Sequence, residues 1–130
     1  MGQKKILIVD DERKIRDMLV EILSAAGYMA VFAEDGEEGV KQAKAHLPDL
    51  ILMDVMMPKM AGGEAVRCLG EDPATKDIPV IFLTSIITKE EEESQEFGIQ
   101  LSMGKRRFIA KPFEPQKLLA EIKEALEGQG

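Results

Sequence analysis

Short apolar runs alternate along the chain with longer stretches in which apolar residues recur every three or four positions. A short uninterrupted apolar run is typical of a strand that is buried on both faces. Five such runs predict five strands, at residues 6–9, 29–32, 50–54, 79–83 and 108–110. The third run ends abruptly in the carboxylate of Asp54, so the question is which other polar groups reach the same end of the sheet.

Helices are predicted between the strands by the spaced apolar positions. The first helix has one apolar face, formed by Ile15, Met18, Leu19, Ile22, Leu23 and Ala26. Asp11 is predicted to cap the beginning of this helix, and Gly27 is predicted to end it. The second helix carries Val40, Ala43 and Leu47 on its apolar side, before a proline stops it.

Three further helices follow from the same kinds of signal. One is predicted over 64–69, another over 89–97, and a last one begins at Pro115, a residue well suited to a first helical position. The helix over 89–97 is poorly amphipathic, because residues 90–93 are all acidic. The stretch 99–107 carries no clear pattern.

This alternation of strands and helices predicts one α/β domain with helices on both faces of a five-stranded parallel sheet. We expect a doubly wound (βα)5 arrangement with strand order 2-1-3-4-5, an order taken from known folds of this kind and not from the pattern itself. Strands one and three are neighbours in that order. Because parallel strands end at a common edge, Asp10, Asp11 and Asp54 are expected to meet there.

Composition narrows the classes of function. The chain has 130 residues and a net charge of −7, which argues against a basic face for nucleic acid. The single cysteine, Cys68, excludes an intramolecular disulfide and suits a reducing compartment. No apolar run approaches the roughly 20 residues of a membrane span. We expect no signal peptide, because residues 3–5 lead directly into the first predicted strand. We therefore expect a cytoplasmic protein that binds neither nucleic acid nor membrane directly.

Polar groups follow four of the predicted strands. Asp10 and Asp11 end the first, Asp54 the third, Thr84 the fourth and Lys111 the fifth. Three clustered carboxylates repel one another unless a cation neutralises them, and oxygen ligands without nearby His or Cys suit Mg²⁺. With such a cation bound, one carboxylate can act as a nucleophile towards phosphorus, while a hydroxyl and an ammonium bind the transferred group.

With these residues the sequence resembles the receiver domain of two-component response regulators. The resemblance covers nearly the whole chain, and its four motifs are weak singly but specific when they occur in order at strand ends. They are Asp10-Asp11, Asp54 followed by Met57-Pro58 and Gly62, Thr84-Ser85, and Lys111-Pro112-Phe113. The resemblance implies a flavodoxin-like fold of the chemotaxis-regulator kind. We expect a receiver domain over 1–127, a tail at 128–130 and no separate output domain; the alternative is that the chain is part of a longer regulator.

The resemblance also implies the roles of the acidic residues. Asp54 would accept a phosphoryl group from a phosphohistidine on a sensor histidine kinase or a histidine phosphotransfer protein. Asp11, Asp54 and the backbone carbonyl of Met56 would bind Mg²⁺ directly, and Asp10 would act largely through water. The protein would be a phosphoacceptor switch and not an enzyme in the usual sense, with Mg²⁺-assisted phosphorylation and slow loss of the phosphoryl group.

Three more residues take roles from the resemblance. Thr84 and Lys111 would each bind an oxygen of the phosphoryl group, and Phe108 matches the aromatic residue that turns inward when Thr84 moves. This movement would then change the binding of an output protein. The chain departs from the family before the fifth strand, where 98–107 replaces the usual Gly-Ala pair.

Three other classes of function would each require a different set of residues. A small aspartyl-phosphate hydrolase of the haloacid-dehalogenase kind would need a carboxylate two residues after its nucleophile, and Met56 occupies that position. A flavodoxin-like cofactor binder would need a first loop that holds phosphate, whereas Asp10-Asp11 would repel one. A phosphorylation-independent interaction module would not need the complete set of site residues.

Overall fold

The computed structural model describes residues 3–54, 62–84, 107–110 and 114–127. Five strands lie in these parts of the chain: β1 (Lys5–Val9), β2 (Met29–Ala33), β3 (Leu50–Asp54), β4 (Val80–Thr84) and β5 (Arg107–Ala110). The helices there are α1 (Arg13–Ala25), α2 (Gly36–His46), α3 (Gly62–Gly70) and α4 (Pro115–Glu127). The predicted helix over 89–97 lies outside the described residues.

The strands form one parallel sheet in the order β2-β1-β3-β4-β5, which confirms the predicted topology. The register pairs Val9 of β1 with Ala33 of β2 on one side and with Met53 of β3 on the other. Asp54 pairs with Leu83 of β4. The last residues of β1, β3 and β4 therefore lie side by side, and the loops that follow them share one edge of the sheet.

Alternate residues of the central strands supply two hydrophobic cores, one on each face of the sheet. Ile6 and Ile8 of β1 pack in the cluster that contains Leu19 of α1 and Leu118 of α4. Leu7 of β1 packs in the opposite cluster, with residues of α2 and α3. A fully buried aliphatic side chain contributes about 1.5–3 kcal/mol. The two cores fix the sheet between two helical layers, as the uninterrupted apolar runs predict.

The beginning of α1 differs from the prediction. Glu12 and not Asp11 is the N-cap residue of this helix, and its side chain makes no capping hydrogen bond. Instead, Oδ1 of Asp10 accepts a hydrogen bond of 2.9 Å from the backbone N–H of Glu12. The buried carboxylate of Asp10 thus holds the turn that leads into the helix, which leaves the exposed Asp11 without the predicted capping role.

Three residues of the predicted apolar faces are exposed. Met18 and Ala26 of the first face lie towards solvent, so that face is narrower than the spacing predicts. Leu47 is 54% exposed. It follows the last turn of α2 with a left-handed backbone (φ 47°), and this conformation takes its side chain away from the face that Ala43 buries.

Helix α2 begins and ends with recognisable caps. Asp35 is its N-cap, and Oδ1 accepts a hydrogen bond of 2.8 Å from the N–H of Glu38. At the other end, the N–H of Leu47 donates to the carbonyl oxygen of Ala43.

No helix in the described part of the chain is long and apolar enough to cross a membrane.

Candidate functional site

Three carboxylates converge at the carboxyl edge of the sheet, as the sequence predicts. Asp10 follows β1 directly, Asp11 is next to it, and Asp54 is the last residue of the neighbouring strand β3. One ligand oxygen from each can be chosen so that all three lie within 4.8 Å of one another. Asp10 is completely buried, Asp54 is 6% exposed and Asp11 is exposed, so the cluster opens to solvent on the side of Asp11.

Asp10 is held in place through its backbone as well as its side chain. Its N–H donates a hydrogen bond of 3.2 Å to the carbonyl oxygen of Ala33, at the end of β2. Its own carbonyl oxygen accepts a hydrogen bond of 2.8 Å from Nη1 of Arg16 in α1. With the bond from the N–H of Glu12 to Oδ1, three segments of the chain fix the orientation of this carboxylate.

Arg16 is a residue of this site that the sequence analysis did not identify. A count of apolar positions treats an arginine as part of the exposed face of a helix. Arg16 is nevertheless only 9% exposed. The spacing of Arg16 in the sequence could have identified it as buried. Arg16, Leu19 and Leu23 follow one another at intervals of three and four residues, and all three lie on the buried side of α1.

The other predicted site residues are placed only in part by the described chain. The backbone of Thr84 ends β4, one residue beyond the partner of Asp54, and pairs with Ala110 of β5. Phe108 pairs with Phe82. The side chains of Thr84 and Phe108 lie outside the described part of the structure, as do Met56 and Lys111 entirely. Lys111 directly follows Ala110, the last residue of β5, in the sequence.

The donor set of the cluster fits a small hard cation. Each of the three residues offers a carboxylate oxygen, which is a ligand preferred by Mg²⁺. Two of the three are buried, where the repulsion between like charges is less screened than at the surface. A divalent cation would remove that repulsion.

Comparison with known proteins establishes the family. The sequence profile of the response regulator receiver domain matches residues 6–123, most of the chain. The chain belongs to the response regulator receiver domain family. It is therefore a receiver of two-component signalling, and this family consists of phosphorylation-accepting domains that are not classical enzymes.

The relatives of this receiver include longer transcriptional regulators. It is 41% identical over 130 residues, the whole chain, to the phosphate regulon transcriptional regulatory protein PhoB of Pseudomonas aeruginosa, of which it covers 55%. It is 39% identical over 123 residues, 95% of the chain, to the alkaline phosphatase synthesis transcriptional regulatory protein PhoP of Bacillus subtilis, of which it covers 48%. The chain thus spans about half the length of these curated relatives.

Solved receiver structures share the fold. A CheY-like receiver domain protein from Methanospirillum hungatei superposes with a TM-score of 0.86 at 30% identity, covering 98% of this chain and 97% of that one. The receiver domain of the sensor histidine kinase PA1611 from Pseudomonas aeruginosa superposes with a TM-score of 0.84 at 25% identity. The match covers 97% of this chain and 99% of that one. That structure holds a magnesium ion coordinated in the active site cleft.

Proposed function

We propose that this receiver accepts a phosphoryl group on Asp54 from a phosphohistidine of a sensor histidine kinase or a histidine phosphotransfer protein. The observation that carries the proposal is the convergence of Asp10, Asp11 and Asp54 at the end of β1 and β3. Asp54 is the member of the cluster that neighbours β4 and hence Thr84. Of the strands that lead into the cluster, its strand β3 is the one that pairs with β4.

The cluster is proposed to hold Mg²⁺. Asp11, Asp54 and the backbone carbonyl of Met56 would be its ligands, with Asp10 acting largely through water. When bound, the cation neutralises the charge that accumulates as a phosphoryl group meets a carboxylate. The magnesium ion in the cleft of the related receiver supports this assignment.

The proposed transfer is an in-line displacement at phosphorus. A carboxylate oxygen of Asp54 forms the new P–O bond as the P–N bond to the donor imidazole breaks, and that nitrogen keeps the electron pair. The Thr84 hydroxyl donates to one phosphoryl oxygen, and the Lys111 ammonium pairs with another. The product is an acyl phosphate, which water slowly hydrolyses back to the free carboxylate.

The modification is proposed to change partner binding through Thr84 and Phe108. Phosphorylation raises the negative charge at Asp54 and adds strong acceptor oxygens. Thr84 ends β4 and pairs with Ala110 of β5, while Phe108 of the same strand pairs with Phe82, two residues before Thr84. A shift of Thr84 would therefore act on the strand that carries the aromatic residue. We further propose that residues 1–127 form the receiver unit, and that it works in the cytoplasm on an output protein still to be identified.

The decisive experiment labels the protein with a small acyl phosphate in the presence of Mg²⁺ and measures its intact mass. We expect one stable phosphoryl group on the wild type and none on Asp54→Asn. Asp17→Asn is the matched control, because Asp17 is an exposed aspartate of α1 outside the cluster. It should be labelled like the wild type.

Two results would contradict this proposal. Labelling of Asp54→Asn at the wild-type rate would show that another residue accepts the phosphoryl group. Continuous release of phosphate without a stable adduct would favour an aspartyl-phosphate hydrolase of the haloacid-dehalogenase kind.

A further inference from the structure

We infer that Arg16 is a positioning residue for the Mg²⁺ site, because its guanidinium fixes the peptide that carries Asp10. The inference rests on the proposed function, in which Asp10 belongs to that site. Nη1 of Arg16 donates a hydrogen bond of 2.8 Å to the carbonyl oxygen of Asp10, six residues earlier in the chain. This bond ties the first turn of α1 to the end of β1.

The surroundings of Arg16 suit a guanidinium in particular. Arginine is rarely buried this deeply unless it is paired, because its charge loses solvation. The central carbon of its guanidinium lies 5.7 Å from the ring centroid of Phe32, within the range of a cation–π interaction. A planar guanidinium can contact an aromatic ring while it donates in its own plane to a carbonyl oxygen, which a lysine ammonium does not reproduce.

Two further hydrogen bonds act together with the bond from Arg16 to set the direction of the Asp10 carboxylate. The N–H of Asp10 binds the carbonyl oxygen of Ala33, and Oδ1 accepts from the N–H of Glu12. The carbonyl that Arg16 binds belongs to the peptide between Asp10 and Asp11, so it stands between two proposed metal-site carboxylates. Loss of the donor would free this peptide to rotate, and both side chains would move with it.

Partners that orient metal ligands without touching the metal strongly affect affinity, and their loss typically weakens binding about 10–100-fold. Arg16 acts here through a backbone carbonyl and not through a ligand atom. We therefore expect an effect at the lower end of that range. The positive charge of Arg16 would oppose a nearby cation, so an increase in affinity on its removal would identify a purely electrostatic role.

The test is calorimetric titration of Mg²⁺ into folded variants, without any phosphoryl donor. Arg16→Met should raise the Kd for Mg²⁺ about tenfold, and Arg16→Lys should raise it by a smaller factor. Arg13→Met is the matched control. Arg13 lies on the same helix and carries the same charge, but its side chain is 85% exposed and pairs with Asp17 on the surface. Its removal should leave the Kd unchanged.

The outcomes separate this inference from the proposed function. A wild type that binds no Mg²⁺ overturns the proposed function, and the role of Arg16 falls with it. In the other case, the wild type binds Mg²⁺ while Arg16→Met binds it with equal or higher affinity and has a lower melting temperature. That result overturns only the role of Arg16 in the metal site and shows that Arg16 is a structural residue. If Arg16→Met does not fold, Arg16→Lys decides in the same way, since an unchanged Kd overturns the inference.

Discussion

Asp10 serves both as a carboxylate of the candidate site and as a junction between three elements. Its backbone bonds reach β2 and α1, and its side chain holds the turn between β1 and α1. The carboxylate could be predicted from sequence because it ends an apolar run. The junction could not, because it depends on the buried donor of Arg16, and the hydropathy pattern counts an arginine as exposed.

At the scale of single charges, we predict that the acidic cluster makes the protein more stable in Mg²⁺ than without it. A cation that binds only the folded state adds about 2.7 kcal/mol at one hundred times its Kd. For a domain of this size, that raises the melting temperature by roughly 10 °C. Asp11→Asn should reduce this gain and raise the melting temperature without Mg²⁺, because it removes one of three repelling charges. Differential scanning calorimetry with and without Mg²⁺ measures both effects.

Glu12→Gln is the control for this prediction. Glu12 is the exposed neighbour of Asp11, it carries the same charge, and its side chain makes no capping hydrogen bond. Its replacement should leave the Mg²⁺-dependent gain intact. A melting temperature that does not respond to millimolar Mg²⁺ in the wild type, or an equal loss of response in both variants, would contradict a specific role for the cluster.

At the scale of elements, the sequence predicts the five described strands to within one residue at each end. Four of the single-residue differences are extensions by a residue that pairs with a neighbouring strand, namely Lys5, Ala33, Thr84 and Arg107. Lys5 extends β1 because it pairs with Met29, and its N–H also donates to Oδ2 of Asp49. The pattern within one segment contains no information about such partners. For the same reason it contains none about strand order, which was taken from known folds.

The close approach of α2 to β1 supplies a prediction about packing. A Cβ atom added to Gly39 would lie 2.9 Å from both Cγ1 and Cγ2 of Val9, closer than the usual contact of about 3.5–4.0 Å. Val9 is fully buried, and its branched side chain has little rotameric freedom. Overpacking of this kind destabilises by about 1–3 kcal/mol, more than the roughly 1 kcal/mol by which alanine favours the helix. Gly39→Ala should therefore lower the free energy of unfolding by about 1 kcal/mol.

Gly70→Ala is the matched control in denaturant unfolding. Gly70 also lies in a helix, α3, but nothing is within 4 Å of an added Cβ, so the substitution should be neutral or stabilise by about 0.5 kcal/mol. In a Val9→Ala background, Gly39→Ala should lower the free energy of unfolding by less than it does in the wild type, because the two clashing methyl groups are absent. If Gly39→Ala is as stable as the wild type, the contact with Val9 is not tight in solution.

At the scale of the whole molecule, the strand order places β5 and β2 at opposite edges of the sheet. β5 adjoins β4 and carries Phe108, whereas β2 lies at the opposite edge, beyond β1. Ile109 of β5 packs in the same core as Leu118 and Ile122 of α4. We therefore expect that a conformational change that begins at Asp54 and passes through Thr84 alters β5 and α4 but not β2.

Hydrogen exchange of backbone amides tests this asymmetry. With Mg²⁺ and a phosphoryl mimic bound at Asp54, we expect altered exchange in β5 and α4, while the amides of β2 serve as the internal control and remain unchanged. Thr84→Ala should still bind the mimic but should lose the response in β5, since it removes the hydroxyl proposed to follow the phosphoryl group. Unchanged exchange in β5 at full occupancy, or equal changes at both edges, would exclude this route. A response in β5 that depends on Thr84 would instead mean that the signal leaves the site along one side of the sheet, because β4 is the strand that connects Asp54 to that edge.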